Sequence, residues 1–246
     1  MSTYGLVLPE PASISLARSV KIARRPGGPF ANNILLRIEP LGASITHGVA
    51  SSDGNGYRQD LLNIVAATAG NEVRFVGGNP NGTMENNENS GWPGLIIDEV
   101  HTKSNNDTAI LRPNLVLINV GTNDALRNID IPNAGARMQS LINDIYTQSP
   151  RATVILSSLI RNTNSDAQDR GVQINSQYQA LVGSLRGQGK PIIWADMQGS
   201  NGPLASDLGP DGTHPLDQGY QKMANIWYSA ISQANEADFL KTAENA

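Results

Sequence analysis

Five short apolar runs constrain this chain more than anything else in it: Ile34–Ile38, Val73–Val76, Leu115–Val120, Thr153–Leu156 and Pro191–Ala195. Each is rich in Val, Ile and Leu without polar alternation, the pattern of a strand covered on both faces. Amphipathic stretches of helical spacing lie between them. In one, Ala134, Met138, Leu141, Ile142 and Ile145 share a face, with Asn133 placed as a cap. In another, Ile174, Tyr178, Leu181, Val182 and Leu185 form the stripe, which Gly187 and Gly189 end ahead of Pro191. Further helices are expected over 56–69, 93–102 and 215–232. Strands alternating with helices imply a parallel sheet between two helical layers, joined by right-handed crossovers.

At 246 residues the chain can form one domain. Residues 1–33 differ from the rest, with Pro9, Pro11, Pro26 and Pro29, a basic cluster (Lys21, Arg24, Arg25) and little periodicity. They read as an N-terminal extension rather than a basic arm with its own partner. The domain is placed at 34–232 and a C-terminal tail at 233–246. A net charge of -4 with 16% charged residues gives no pull toward nucleic acid or an anionic membrane. The lack of cysteine excludes disulfides, thiolate nucleophiles and Cys-ligated zinc. No apolar run reaches the roughly 18 residues of a membrane span. Met1 to Val20 does not read as a signal peptide, which points to the cytoplasm without fixing the location.

In a parallel α/β sheet, ligands bind beyond the carboxyl ends of the strands. Ser44 follows the first run, Asn123 the third and His214 the fifth, so all three should rim one crevice. A serine hydroxyl needs an imidazole to take its proton, and that imidazole needs a carboxylate to fix its tautomer. Asp211 and His214, three positions apart in Asp211-Gly212-Thr213-His214-Pro215, supply such a pair from one loop. Alone, Ser44 reads more readily as a cap than as a nucleophile, and Asp211 as a turn residue. Of the other histidines, His101 falls late in an expected helix and reads as structural, while His47 lies near Ser44 without an adjacent carboxylate. Asn123, in Gly121-Thr122-Asn123-Asp124, either caps a helix or donates to developing negative charge. Gly91, in Ser90-Gly91-Trp92-Pro93-Gly94, either makes a plain turn or lets a substrate approach the main chain.

Together these blocks, in this order with Gly42-Ala43-Ser44-Ile45-Thr46, resemble the SGNH (GDSL-type) hydrolase superfamily. Gly54-Asn55-Gly56-Tyr57-Arg58, Val76-Gly77, Gly82-Thr83-Met84 and Gly91-Trp92-Pro93-Gly94 are most similar to esterases of carbohydrate esterase family 3. The likeness covers about residues 34 to 232. It implies an α/β fold, a three-layer αβα sandwich with a five-stranded parallel flavodoxin-like sheet. It also implies a triad of Ser44, His214 and Asp211, and an oxyanion hole from the Ser44 and Gly91 N–H groups and the Asn123 side chain. One departure is plain: Ala43 stands where the family usually carries an acidic residue, which bears on the ordering of the nucleophile loop and the pH response.

The activity so implied is hydrolysis of short-chain esters, acetyl above all, on a carbohydrate or other small polyol. No cofactor is called for, and no His-containing ligand spacing suggests a metal. Trp92 is a candidate wall of the substrate pocket or a core residue. The amide-dense loop Asn79–Asn89 reads as a solvated turn more readily than as a sugar-binding one. A thioesterase or lysophospholipase, a small-metabolite deacetylase and a non-catalytic binding protein remain alternatives on the same scaffold. Oligomeric state and natural substrate stay open.

Overall fold

The structure is a computed structural model that describes residues 29–244. Up to residue 28, the expected N-terminal extension lies outside the described residues. In chain order the elements are β1 (Leu36–Gly42), α1 (Ser44–His47), α2 (Arg58–Thr68), β2 (Val73–Phe75), β3 (Ser90–Gly91), α3 (Ile97–Leu111) and β4 (Leu115–Asn119). Then follow α4 (Thr122–Arg127), α5 (Ala134–Gln148), β5 (Thr153–Ser157), α6 (Ser165–Gly187), β6 (Ile192–Ala195) and α7 (Asp217–Glu236). The five longer strands run parallel in the order β2-β1-β4-β5-β6, the doubly wound arrangement. Side chains alternate between two cores, as period-two strands require. Leu36, Ile38, Leu115, Leu117, Ile155 and Ile193 meet α2 and α7, while Leu41, Val116, Ile118, Val154, Leu156 and Ile192 meet α3, α5 and α6. Among the described residues no helix is long and apolar enough to cross a membrane.

Several elements depart from expectation. β1 does not end at Ile38 but runs to Gly42, through Glu39 and Pro40. Even-numbered positions of β1 face β2 and β3, as the bonds from Val76 N–H to the Ile38 carbonyl and from Trp92 N–H to the Gly42 carbonyl show. Pro40 therefore falls in the gap after β2 leaves and before β3 arrives, where its missing N–H breaks no ladder bond. β3 is a sixth, two-residue strand paired with β1 at Leu41 and Gly42. It lies at Gly91, where the sequence suggests a turn or a close main-chain approach but no strand. The helix expected over 93–102 starts only at Ile97, because Gly94 (φ 83) and extended Ile96 precede it, and Ile96 N–H is capped by Glu99. His101 thus sits early in α3 rather than at its end, 2.7 Å from Asp144 on α5. Asn133 makes no side-chain cap; it bonds Asp130, and Gln177 from α6 accepts the Gly135 N–H instead. Packing also extends beyond 34–232. Phe30 is buried and held by Asn71, α7 continues to Glu236, and Leu240 is buried.

Candidate active site

The serine comes from the end of β1. A Cβ on Gly42 would stand 2.2 Å from the Asn119 carbonyl oxygen and 2.3 Å from Thr46 Oγ1, so only glycine lets β1 run this close to β4. The chain then turns through Ala43 into α1, whose first residue is Ser44 and whose single turn stops at Gly48 (φ 95). As the first residue of α1, Ser44 has a backbone N–H without an intrahelical acceptor. Next door, β4 ends at Asn119, and Gly121 (φ 123) leads into α4, which carries Asn123. β1 and β4 flank the point where strand order reverses, where doubly wound folds place their ligands.

The histidine comes from the loop after β6. The Gly209 N–H bonds the His214 carbonyl at 2.8 Å, Leu208 bridges Pro215, and Gly212 (φ 66) makes the tight turn between them. Thr163 N–H donates to the Gly212 carbonyl, and Asn162 Nδ2 to Thr213 Oγ1, anchoring the loop to the segment after β5. Two further bonds tie α7 to the serine's loop: Tyr220 Oη donates to the Val49 carbonyl, and Ser52 N–H to Asp217 Oδ1. The result is a short relay. His214 Nε2 lies 2.7 Å from Ser44 Oγ, and His214 Nδ1 lies 2.5 Å from Asp211 Oδ2. Asp211 Oδ1 accepts the backbone N–H groups of Thr213 and His214, each at 3.0 Å. Burial works against the Asp211 charge, but these bonds and the His214 ring outweigh it and hold the carboxyl at about 2.

Of the remaining candidates, Gly91 lies in β3, Trp92 and His47 lie beside it, and Asn123 contacts the segment that follows. Gly91 lies opposite Gly42, beside the serine's turn, and its N–H is held by Asn89 Oδ1 at 2.9 Å. Asn123 Nδ2 donates to the Leu95 carbonyl at 2.9 Å. α4 is fixed there by its neighbour Asp124, fully buried, which takes the Ile97 N–H and Arg137 Nη1. Trp92 is partly buried, with Lys103 Nζ 4.6 Å from its ring centre. His47 packs against β3, its Nδ1 3.4 Å from Asn79 Nδ2, and burial lowers its pKa. Among the described residues no carboxylate pairs with His47, and no cluster of three His, Asp or Glu side chains is placed to hold a metal.

The asparagine loop is only partly solvated: Pro80, Thr83 and Glu85 are exposed, but the amides turn onto the main chain. Asn79 Nδ2 bonds the Gly91 carbonyl, Asn81 Nδ2 the His47 and Gly54 carbonyls, Asn87 Nδ2 the Gly82 carbonyl, and Asn86 both polar groups of Phe75. Arg58, fully buried, reaches the carbonyls of Asn87, His47, Gly54 and Asn81. Sequence reasoning missed the roles of Glu39, Arg58, Asp124 and Arg137 around the site. For Glu39 a signal existed, a lone carboxylate between Ile38 and Leu41 in an otherwise apolar stretch.

Residues 41–222 match the model of the GDSL-like Lipase/Acylhydrolase family. The chain belongs to that family. A family 3 carbohydrate esterase of Clostridium thermocellum is similar at 25% identity, with a TM-score of 0.73 over 82% of this chain and 98% of its own. A family 3 carbohydrate esterase from Talaromyces cellulolyticus shares the fold with a TM-score of 0.70, over 82% of this chain and 99% of its own at 21% identity. The "Multidomain esterase" of Ruminococcus flavefaciens is 26% identical over 222 residues, which span 80% of this chain and only 28% of that protein. The GDSL-like domain described here is a carboxylic ester hydrolase of SGNH fold.

Proposed function

We propose that the domain hydrolyses short-chain esters, acetyl esters of a carbohydrate or small polyol foremost, through an acyl-enzyme on Ser44. The observation that carries this reading is the 2.7 Å approach of His214 Nε2 to Ser44 Oγ, with Asp211 on the far ring nitrogen. Ser44 Oγ attacks the ester carbonyl as His214 takes its proton; the tetrahedral intermediate expels the alcohol, which receives that proton. Water, deprotonated by the same imidazole, then releases the acid and restores Ser44. The oxyanion is met by the Ser44 N–H, the Gly91 N–H and Asn123 Nδ2. The Asn123 amino group has a second hydrogen beyond the one on Leu95, and the Gly91 N–H serves as a three-centre donor shared with Asn89. The carbohydrate class rests on the likeness to the Clostridium thermocellum enzyme.

The test is turnover of nitrophenyl acetate, butyrate and octanoate, and of an acetylated sugar, by wild type and Ser44→Ala. Ser44→Ala should lose at least about a thousandfold in kcat while staying folded. Equal turnover by the two proteins ends the reading. Octanoate hydrolysed faster than acetate would move the substrate class to longer acyl chains.

A further inference from the structure

Glu39 is fully buried in the middle of β1 and takes no part in the proposed reaction. Its Oε1 accepts from Ser90 Oγ and its Oε2 from Thr108 Oγ1, both at 2.9 Å. Thr108 belongs to α3, where Ser104 Oγ lies 3.1 Å from its hydroxyl. Ser90 is half of β3, and the other half is Gly91. A two-residue strand is far shorter than the roughly five or six residues usual for strands, so little of its own ladder fixes it. The grip on Ser90 adds a clamp from the α3 side of the sheet.

The surroundings make this clamp sensitive to protonation. α3 presents Asp107 to Glu39, with Lys103 acting on Asp107 in turn; β3 presents only the Ser90 hydroxyl, and β4 places Val116 opposite Glu39. Burial lifts the Glu39 carboxyl to about 7, against the pull of the Ser90 and Thr108 hydrogen bonds and with the Asp107 charge adding to it. The ionised carboxylate accepts from both hydroxyls at once. Once protonated, its O–H competes for an acceptor with Asp107, which also bonds the Ser90 hydroxyl, so the pattern of donors around Ser90 changes.

We propose that Glu39 is a positioning residue for this site: by gripping Ser90 Oγ it sets where the Gly91 peptide stands relative to Ser44. This rests on the reading of Gly91 as an oxyanion donor. The experiment measures kcat and KM for nitrophenyl acetate across the neutral pH range in wild type, Ser90→Ala, Glu39→Gln and Glu39→Leu. Urea unfolding of each serves as the check on folding. Ser90→Ala and Glu39→Leu should lower kcat by about ten- to a hundredfold with KM within about threefold, the effect of a misplaced donor. Glu39→Gln keeps an acceptor for Ser90, so it should retain kcat within about threefold. Its profile should lack the wild-type inflection near the Glu39 value of about 7.

Should Glu39→Leu fail to fold, Ser90→Ala and Glu39→Gln still decide the matter. Wild-type kcat and pH profile in Ser90→Ala overturn the proposal, and so does a Glu39→Gln variant that loses about a hundredfold in kcat. Ser44→Ala, run alongside, separates the two readings. Undiminished turnover there overturns the reading of the site and this proposal with it. Loss there, with wild-type rates in Ser90→Ala, overturns the Glu39 role alone.

Discussion

Asp211 is half-exposed, yet three N–H donors converge on it, two from the backbone of its own loop. With a folded value of about 2 it stays ionised through any ordinary assay range. A fall in kcat/KM between pH 7 and pH 4 therefore arises from another group. Asp211→Asn should lower kcat by about a thousand- to ten-thousandfold, less than the loss of Ser44 or His214. Turnover of nitrophenyl acetate by both proteins at neutral pH checks it, and a wild-type kcat in the variant refutes it. Stability has the matching sign. Because the folded value lies below the ordinary 3.8, the contribution of Asp211 is present above about pH 4 and lost as pH falls toward 2. At this scale the sequence was informative where both partners lie in one loop, as Asp211 and His214 do. Glu39 stayed hidden because its partners sit 51 and 69 positions away, on elements that no local pattern places beside it.

Among the elements, the loop from β2 to β3 shows what composition leaves undetermined. Five asparagines in eleven residues suggest solvation, since amides bond water readily. Here the same amides hold backbone, and Arg58 on α2 binds four carbonyls of this region from below. Whether an amide faces water or main chain depends on the path of the chain, which side-chain identity does not specify. Arg58→Lys keeps the charge but loses the planar fork, so several buried carbonyls lose their donor. It should destabilise the domain by about 3 kcal/mol or more in urea unfolding. A loss below about 1 kcal/mol would mean that the asparagines alone hold the loop. Periodicity revealed α5 and α6 well because their apolar stripes record burial directly. It missed β3, since two residues carry no period at all.

Over the whole molecule, the alternation of apolar runs and helices was enough to give a parallel sheet between two layers. The central runs, those of β4 and β5, are buried on both faces, and only crossover helices can cover them that way. The same enclosure places a carboxyl inside the sheet's α3 face, and stability should reflect it. Unfolded, Glu39 ionises near the ordinary 4.5; folded, it holds its proton to about 7. The folded state is therefore relatively favoured below about pH 4.5 and loses that advantage as pH rises through 7, on the order of 3 kcal/mol in all. Urea unfolding at pH 5 and pH 8 should show this decline in wild type and a flatter response in Glu39→Gln. Parallel declines in both would assign the slope to other groups.

The hydroxyl and the ring that meet at 2.7 Å are separated by 170 positions, and the helix following the ring is bolted to the loop following the hydroxyl by Tyr220 and Asp217. During synthesis the serine emerges long before its proton acceptor exists. Under the proposed mechanism, a growing chain thus carries an inert alcohol until the loop ahead of α7 brings His214 to it.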